Sequence, residues 1–301
     1  MPIIWYIQAM PLLLLTSFIW AFSFGLVKKY LAGLDAGFVA FARLALALLL
    51  FLPMLRPRRV PIAMKLRLAG IGMVQFGMMY VFYIESFRYL AAHEVALFTI
   101  FTPLYVAAAA DLLERRFRPL YLWTALLAVA GTAVIVYSRP DMSEWLAGFL
   151  LVQASNVCFA LGQVLYRRLP ADARGWRDRD VFAWLYLGGT AVAVLAMMLG
   201  SGMPTLELGR GQLLALLYLG LLASGVGFFL WNVGARRVST GLLAVFNNVK
   251  IPLSVAVSLI VFSERADLVR LVLGGALILV ALALNFLILP LNSKHDHDSG
   301  S

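Results

Sequence analysis

"LLAVFNNVKIPLSV", residues 242–255, places one lysine, two adjacent asparagines and a proline inside a run that is otherwise almost wholly apolar. Lys250 stands thirteen residues after Arg237 and fourteen before Glu264. In a helix rising 1.5 Å per residue, its α-carbon is therefore about 20 Å from either charged end, too far for the ammonium to reach an interface comfortably. A lysine at the centre of a bilayer costs about 2.5–3.5 kcal/mol on insertion scales, so it is expected to face a bundle interior or a wet cavity. Asn247, three residues earlier, shares its helix face, whereas Asn248 is turned by about 100°.

The rest of the chain supplies the membrane. Of 301 residues, 62% are hydrophobic and 13% charged, and the mean hydropathy is +0.89. That leaves too little polar surface for a water-soluble globule. A hydrocarbon core about 30 Å thick takes roughly 20 apolar helical residues. Such runs recur near residues 7–27, 36–55, 66–87, 92–112, 119–138, 145–166, 181–200, 211–235, 239–262 and 268–290. We number them spans one to ten. The expected fold is an all-α integral membrane protein of ten transmembrane helices.

Span one is expected to be kept rather than cleaved, because residues 1–27 carry no charge and the pair Lys28 and Lys29 follows the apolar run instead of preceding it. The longest loops, 56–65 and 167–180, are too short for a soluble domain. Residues 291–301, ending in "NSKHDHDSGS", read as a disordered tail rather than a metal site. The lone Cys158 provides neither a disulfide framework nor a metal cluster, and no cofactor or metal is expected. The net charge of +10 gathers in short clusters between apolar runs. That is the pattern of membrane loops, so lipid rather than nucleic acid is the expected surroundings.

Those clusters orient the bundle. The side shared by both termini holds sixteen cations, among them Arg56, Lys65, Arg115, Arg167, Arg168, Arg177 and Arg236, and the opposite side seven. Lys and Arg accumulate on the cytoplasmic side, so both termini are expected there. Arg43 and Lys250 are the two cations left inside spans.

Internal repetition decides the rest. At an offset of 148 residues Gly72 meets Gly220, Gly77 meets Gly225, Tyr83 meets Trp231 and Arg88 meets Arg236. At 149, Pro103 in "FTIFTPLY" meets Pro252 in the quoted stretch; at 150, Glu114 meets Glu264, each acid closing its span. Spans one and six also end alike, in "LVKKYL" and "VLYRRL". Five spans per half is an odd number, so the second copy enters the membrane upside down. The halves are expected at 1–139 and 145–290.

In these features the chain resembles the ten-helix EamA-type members of the drug/metabolite transporter superfamily, whose fold is two inverted five-helix repeats with both ends cytoplasmic. The resemblance rests on Trp20 and Ala21, the glycine-bearing spans three and eight, Pro103 and Pro252, and Glu114 and Glu264. In many relatives a glycine precedes that acid, where this chain has Leu113 and Ser263. The resemblance implies a secondary transporter of the bacterial inner membrane that exports amino acids, aromatic or otherwise hydrophobic, and related metabolites by alternating access. A nucleotide-sugar or other organic-anion carrier is the alternative within the superfamily. A membrane-embedded enzyme or a scaffold is the alternative outside it; "HEVAL", residues 93–97, has Leu where a zinc helix needs His. The chain is read as a transporter and not as an enzyme, and a monomer and a homodimer stay equally open.

The expected pathway is bordered by spans four and nine. A proline inside a helix leaves without a donor the carbonyl four residues earlier, which is Thr99 for Pro103 and Asn248 for Pro252. Irregular backbone of that kind is tolerated in a membrane only inside protein or beside a cavity. A central ammonium attracts a carboxylate by about 4 kcal/mol at 4 Å and an effective dielectric near 20, before desolvation is subtracted. The small-molecule substrate is thus expected to be an amino acid or an amphipathic metabolite. Trp20 and Tyr80, deepest of the span aromatics, are the favoured apolar walls. Asn156 and Gln163, with Ser155, offer hydrogen bonds either to substrate or between helices. Arg43 is expected to pair with Glu85 or Glu94. Every Asp and Glu lies near a span end, so no proton-coupling acid is assigned.

Overall fold

The computed structural model describes residues 3–56, 60–115, 142–169, 177–200, 207–238 and 240–269, with four further positions up to 280. Span five, most of span ten, the tail and residues 170–176 of the 167–180 loop lie outside the described residues. Seven helices among those described are long and apolar enough to cross a membrane: Ala9–Leu31, Ala36–Met54, Ile62–Ser86, Ala92–Leu113, Ser143–Arg167, Asp178–Leu199 and Arg210–Ala235. They are spans one to four and six to eight. Span nine is the helix Thr240–Ile260. No strand occurs among the described residues.

The ends follow from local chemistry. Span two starts on Asp35, whose carboxylate accepts from Phe38 N at 2.8 Å as an N-cap. Span one runs further than its apolar run suggests. It widens into a π-helical turn at Val27–Leu31 that keeps Lys28 and Lys29 within the helix. Lys28 is half-buried there and its Nζ donates to Phe87 O at 2.6 Å.

The packing carries the two-fold pattern of the sequence. Span three lies on span seven, and span eight on span two; span three also lies on span six, and span eight on span one. Span nine packs on span one and span four on span six, while four meets nine and two meets seven. Exchanging one with six, two with seven, three with eight and four with nine turns each of these pairings into another member of the set or, for four–nine and two–seven, into itself. A two-fold repeat requires that exchange.

Finer details obey the same exchange. Span three contains a π-helical stretch at Met73–Met78. Adding 148 to 73–78 gives 221–226, which falls inside the π-helical stretch Tyr218–Gly227 of span eight. A π turn disturbs the regular backbone ladder, and in lipid the displaced carbonyls need donors from the protein. Trp20 Nε1 donates to Ala223 O at 3.0 Å, Tyr186 O–H to Ser224 O at 2.6 Å, and Thr16 Oγ1 to Gly227 O at 3.3 Å. In the other half Ser155 Oγ donates to Met79 O at 3.1 Å, and Met79 lies 148 residues before Gly227.

Both pairs of repeat glycines are contact points. A Cβ on Gly72 would run into the backbone of Leu185 in span seven, and one on Gly188 into the backbone of Ala69 in span three. Gly220 and Gly225 receive Leu46 and Leu50 of span two. Helix association in lipid depends on such close van der Waals approach, since burial from water contributes little there. Spans four and nine end alike as well: Arg115 has φ 55° and Ser263 φ 54°, and the two positions are 148 apart. A side chain in the left-handed region costs about 1–2 kcal/mol, which glycine avoids.

Two substitutions test this packing by thermal denaturation of the detergent-purified protein. Gly72→Val is expected to lower stability by about 1–3 kcal/mol through overpacking against Leu185. Ser263→Gly is expected to raise it by about 1 kcal/mol by relieving the left-handed strain.

Candidate functional site

The helices surround a chamber with a volume of about 70 Å³. Seven spans line it, and they do so at helical spacing: Trp20, Ser23 and Phe24 from span one, Tyr80 and Tyr83 from three, Thr99 and Thr102 from four, and Asn156 and Phe159 from six. Arg43 enters from span two, Phe228 from eight and Lys250 from nine.

Lys250 is 6% exposed and faces this chamber. Its Nζ lies 5.1 Å from the centre of the Trp20 ring and 5.5 Å from that of Phe159. Aromatic faces stabilise a cation electrostatically, but they do not neutralise it. Among the described residues no carboxylate or hydrogen-bond acceptor pairs with this ammonium. Trp20 is itself fixed by its bond to Ala223 O and by packing against Phe228 and Trp231, with ring centroids 4.8 and 5.1 Å away.

Of the residues singled out in the sequence, Lys250, Thr99, Trp20, Tyr80 and Asn156 meet at the chamber. Asn247, Asn248 and Gln163 are not on its lining. Asn247 is fully buried and its Nδ2 donates to Leu243 O at 3.0 Å, one turn back in its own helix. Asn248 is half-buried on another face. Gln163 Oε1 accepts from Trp231 Nε1 at 3.2 Å, a link between spans six and eight.

The prolines act differently from the sequence reading. Pro103 begins a new helical segment after a 3₁₀ turn at Thr99–Phe101. The Thr99 carbonyl is not left open: Thr102 N bonds to it, and Thr102 Oγ1 donates to it at 2.7 Å. Asn156 braces the same break, its Nδ2 donating to Phe98 O at 2.9 Å and its Oδ1 accepting from Thr102 Oγ1 at 3.3 Å. Pro252 is exposed on the outer side of a continuous helix, so its ring does not border the chamber.

Arg43 corrects a second expectation. Glu85 pairs with Arg88 at 2.9 Å, and Glu94 accepts from Ala91 N at 2.9 Å to cap span four. Arg43 instead donates to Ser224 and Tyr80 and lines the chamber. Its sequence neighbours are apolar and its partners lie 37 and 181 residues away, so only its status as an intraspan cation marked it. Phe159 and Thr102 were also overlooked; each stands three residues after a flagged residue, Asn156 and Thr99, which is the one signal that could have found them.

At the end of the bundle away from the N-terminus, Glu264 ties the halves together. It accepts from Ala92 N at 2.8 Å, His93 N at 3.0 Å and His93 Nδ1 at 2.8 Å. Half-burial works to raise this carboxyl, but the hydrogen bonds from His93 and Ala92, with the charge on His93, together hold it below the usual carboxylate range.

An all-helical membrane bundle that keeps two buried cations around an internal chamber is the architecture of a solute carrier. The EamA-like transporter family model matches residues 7–137 and 146–287. The chain belongs to that family. It is 42% identical to a probable biotin transporter of Pseudomonas aeruginosa over 92% of this chain and 97% of that one. It is 26% identical to an aromatic amino acid exporter of Ancylobacter novellus over 55% of this chain and 57% of that one. A solved crystal structure superposes with a TM-score of 0.65 at 21% identity, covering 93% of this chain and 98% of the other, a likeness of fold.

Replacing Glu264 by Ala is expected to cost about 1–2 kcal/mol, the scale of an N-cap with charge-assisted bonds. Because the folded carboxyl titrates below its unfolded value of about 4.3, its contribution is complete above that value and drains away as pH falls through the folded value. Thermal melts over about pH 3 to 7 should show this acid-side loss in the wild type and a flatter limb in Glu264→Ala.

Proposed function

We propose that the protein is a secondary carrier that moves a small organic carboxylate across a bacterial inner membrane. The two repeats, residues 1–139 and 145–290, rock about the chamber in alternating access, with both termini on the cytoplasmic side. The observation that carries this reading is the buried Lys250 ammonium, which lines the chamber without a counter-charge among the described residues. A carboxylate within about 4 Å supplies that counter-charge, with a Coulomb gain of about 4 kcal/mol at an effective dielectric of 20 before desolvation. The gain exists only when solute is present, so it can bias the chamber between empty and loaded conformations.

Two solute classes are named among the relatives, and the charge of the chamber favours one. An amino acid brings an ammonium as well as a carboxylate. Among the described residues no Asp or Glu lines the chamber to receive it, whereas Arg43 and Lys250 repel it. Biotin, the solute in the name of the relative at 42% identity, carries a carboxylate on an aliphatic chain and a neutral bicyclic body without an amine. It suits an ammonium set between Trp20 and Phe159. Amino-acid export is the second reading. It is favoured by those same aromatic faces, which can hold an amine by cation–π attraction, and by the exporter matched over half the chain.

Proteoliposomes decide between them. Labelled biotin should enter with saturation, be displaced by unlabelled biotin and emerge chemically unchanged, which separates a carrier from an enzyme or a scaffold. Lys250→Met should reduce the initial rate at least ten-fold while the protein still inserts and purifies as a folded species. Saturable uptake of tryptophan or phenylalanine with none of biotin would replace this reading by the second, and unaltered biotin transport in Lys250→Met would remove the ammonium from the site.

A further inference from the structure

The chamber holds two cations, Arg43 and Lys250, and among the described residues no Asp or Glu lines it. The two differ in how they carry their charge. Arg43 is held by neighbours from two other spans: Nε donates to Ser224 Oγ at 3.2 Å, Nη2 donates to the Tyr80 hydroxyl oxygen at 2.9 Å, and the guanidinium carbon lies 4.1 Å from the centre of the Tyr80 ring. Lys250 makes no hydrogen bond through Nζ among the described residues, and its neighbours there are the rings of Trp20 and Phe159. A guanidinium stays protonated in proteins, whereas an amine can give its proton to water. Of the two charges in the chamber, only that of Lys250 can be set aside.

The surrounding spans bring Lys250 no counter-charge among the described residues. Span two presents Arg43, and span three presents Tyr80 and Tyr83, whose phenols are uncharged at neutral pH. Spans one and four, which pack on span nine, face the chamber with Trp20, Ser23, Thr99 and Thr102. The ionisable residues of those two spans are engaged elsewhere or stand apart. Lys28 donates to Phe87 O, and Lys29 lies over the Tyr30 and Phe262 rings. Glu94 caps span four, His93 pairs with Glu264, and Tyr105 donates to Gln153. Asp111 is nine residues beyond Thr102, about 13 Å along the helix. Spans six and eight add Ser155, Asn156, Phe159 and Phe228, none of them titratable.

An unpaired charge away from water is costly, and a second of like sign in the same chamber adds to the cost. In the empty chamber, release of the Lys250 proton removes it. An entering carboxylate gives the amine a reason to hold a proton again, whichever of the two cations it touches, because either way the chamber gains one negative charge.

We propose that Lys250 is the site of energy coupling: its amine is neutral in the empty chamber and takes up one proton with each carboxylate, so that the protein is an electroneutral symporter of a proton and a carboxylate. This rests on the carrier reading above and adds its driving ion. The proton leaves water on the entry side, binds the Nζ lone pair, and returns to water on the exit side as the carboxylate departs; no covalent bond to the solute forms. Counted over the described residues, the chamber then carries one net positive charge, that of Arg43, whether empty or loaded. A base here takes the part of the intramembrane acid of other proton-coupled carriers.

The test uses the full-length protein in proteoliposomes with labelled biotin. With the interior about two pH units more alkaline than the medium, biotin should accumulate saturably and at least ten-fold above protein-free liposomes at early times, toward the roughly 100-fold limit set by one proton per carboxylate. A potassium–valinomycin potential of either sign at equal pH should change the initial rate by less than about two-fold, since no net charge crosses. Lys250→Arg keeps a cation that cannot give up its proton, so under the pH gradient it should accumulate no more biotin than protein-free liposomes. Accumulation driven by the potential at equal pH, or wild-type uptake that is saturable but unmoved by the pH gradient, overturns the coupling and leaves the carrier standing. Gradient-driven accumulation that persists in Lys250→Arg overturns the role of Lys250, and the wild-type arms decide the matter should that variant fail to insert. Wild-type liposomes without saturable biotin movement overturn carrier and coupling together.

Discussion

The constraint on which this structure depends is that a polar group inside a bilayer must find its partner within the protein. The π-helical stretches of spans three and eight show how the chain meets it. Carbonyls within or just after them, at Ala223, Ser224, Gly227 and Met79, each receive a side-chain donor from a neighbouring span: Trp20, Tyr186, Thr16 and Ser155. Glycine also allows close approach beside one of these donors: a Cβ on Gly227 would stand 3.0 Å from Trp20 Nε1.

Measured against that constraint, the Lys250 ammonium stands out by its charge, although other buried polar atoms such as Asn247 Oδ1 and Ser258 Oγ also lack a partner. A charge costs far more to leave unpaired than a carbonyl, yet its surroundings are two aromatic faces and a void. A protein that brackets nearby backbone breaks with side chains, as Asn156 and Thr102 do at the 3₁₀ turn of span four, has left this ammonium open on the side where solute would stand. Arg43 is also only partly engaged: Nε and Nη2 bond to Ser224 and Tyr80, and Nη1 has no partner.

The halves are joined at one end by Glu264, which closes span nine and caps the start of span four through Ala92 and His93. The carboxylate meets the positive end of a helix dipole, a favourable pairing that makes the end of one repeat the beginning of the other's chamber wall. Span four then breaks at Thr99 and carries Thr99 and Thr102 to the chamber. Movement of the repeats about the chamber would be felt directly at this cap.

What the sequence by itself determined is the membrane, the apolar spans and the repeat register. Apolar run length and residue offsets are local or periodic quantities, and a bilayer leaves helices little alternative. The inward placement of Lys250 was equally legible, because no lipid-facing position tolerates a central ammonium. Tertiary structure alone decided which polar residues meet. Asn247 shares a helix face with Lys250 yet bonds to its own helix, Pro252 turns outward, and Arg43 finds Ser224 across 181 residues of chain rather than a nearby acid. Spacing along one helix gives a face, but which neighbour covers that face depends on the crossing of other helices, and those crossings are set by glycine contacts that no single span contains.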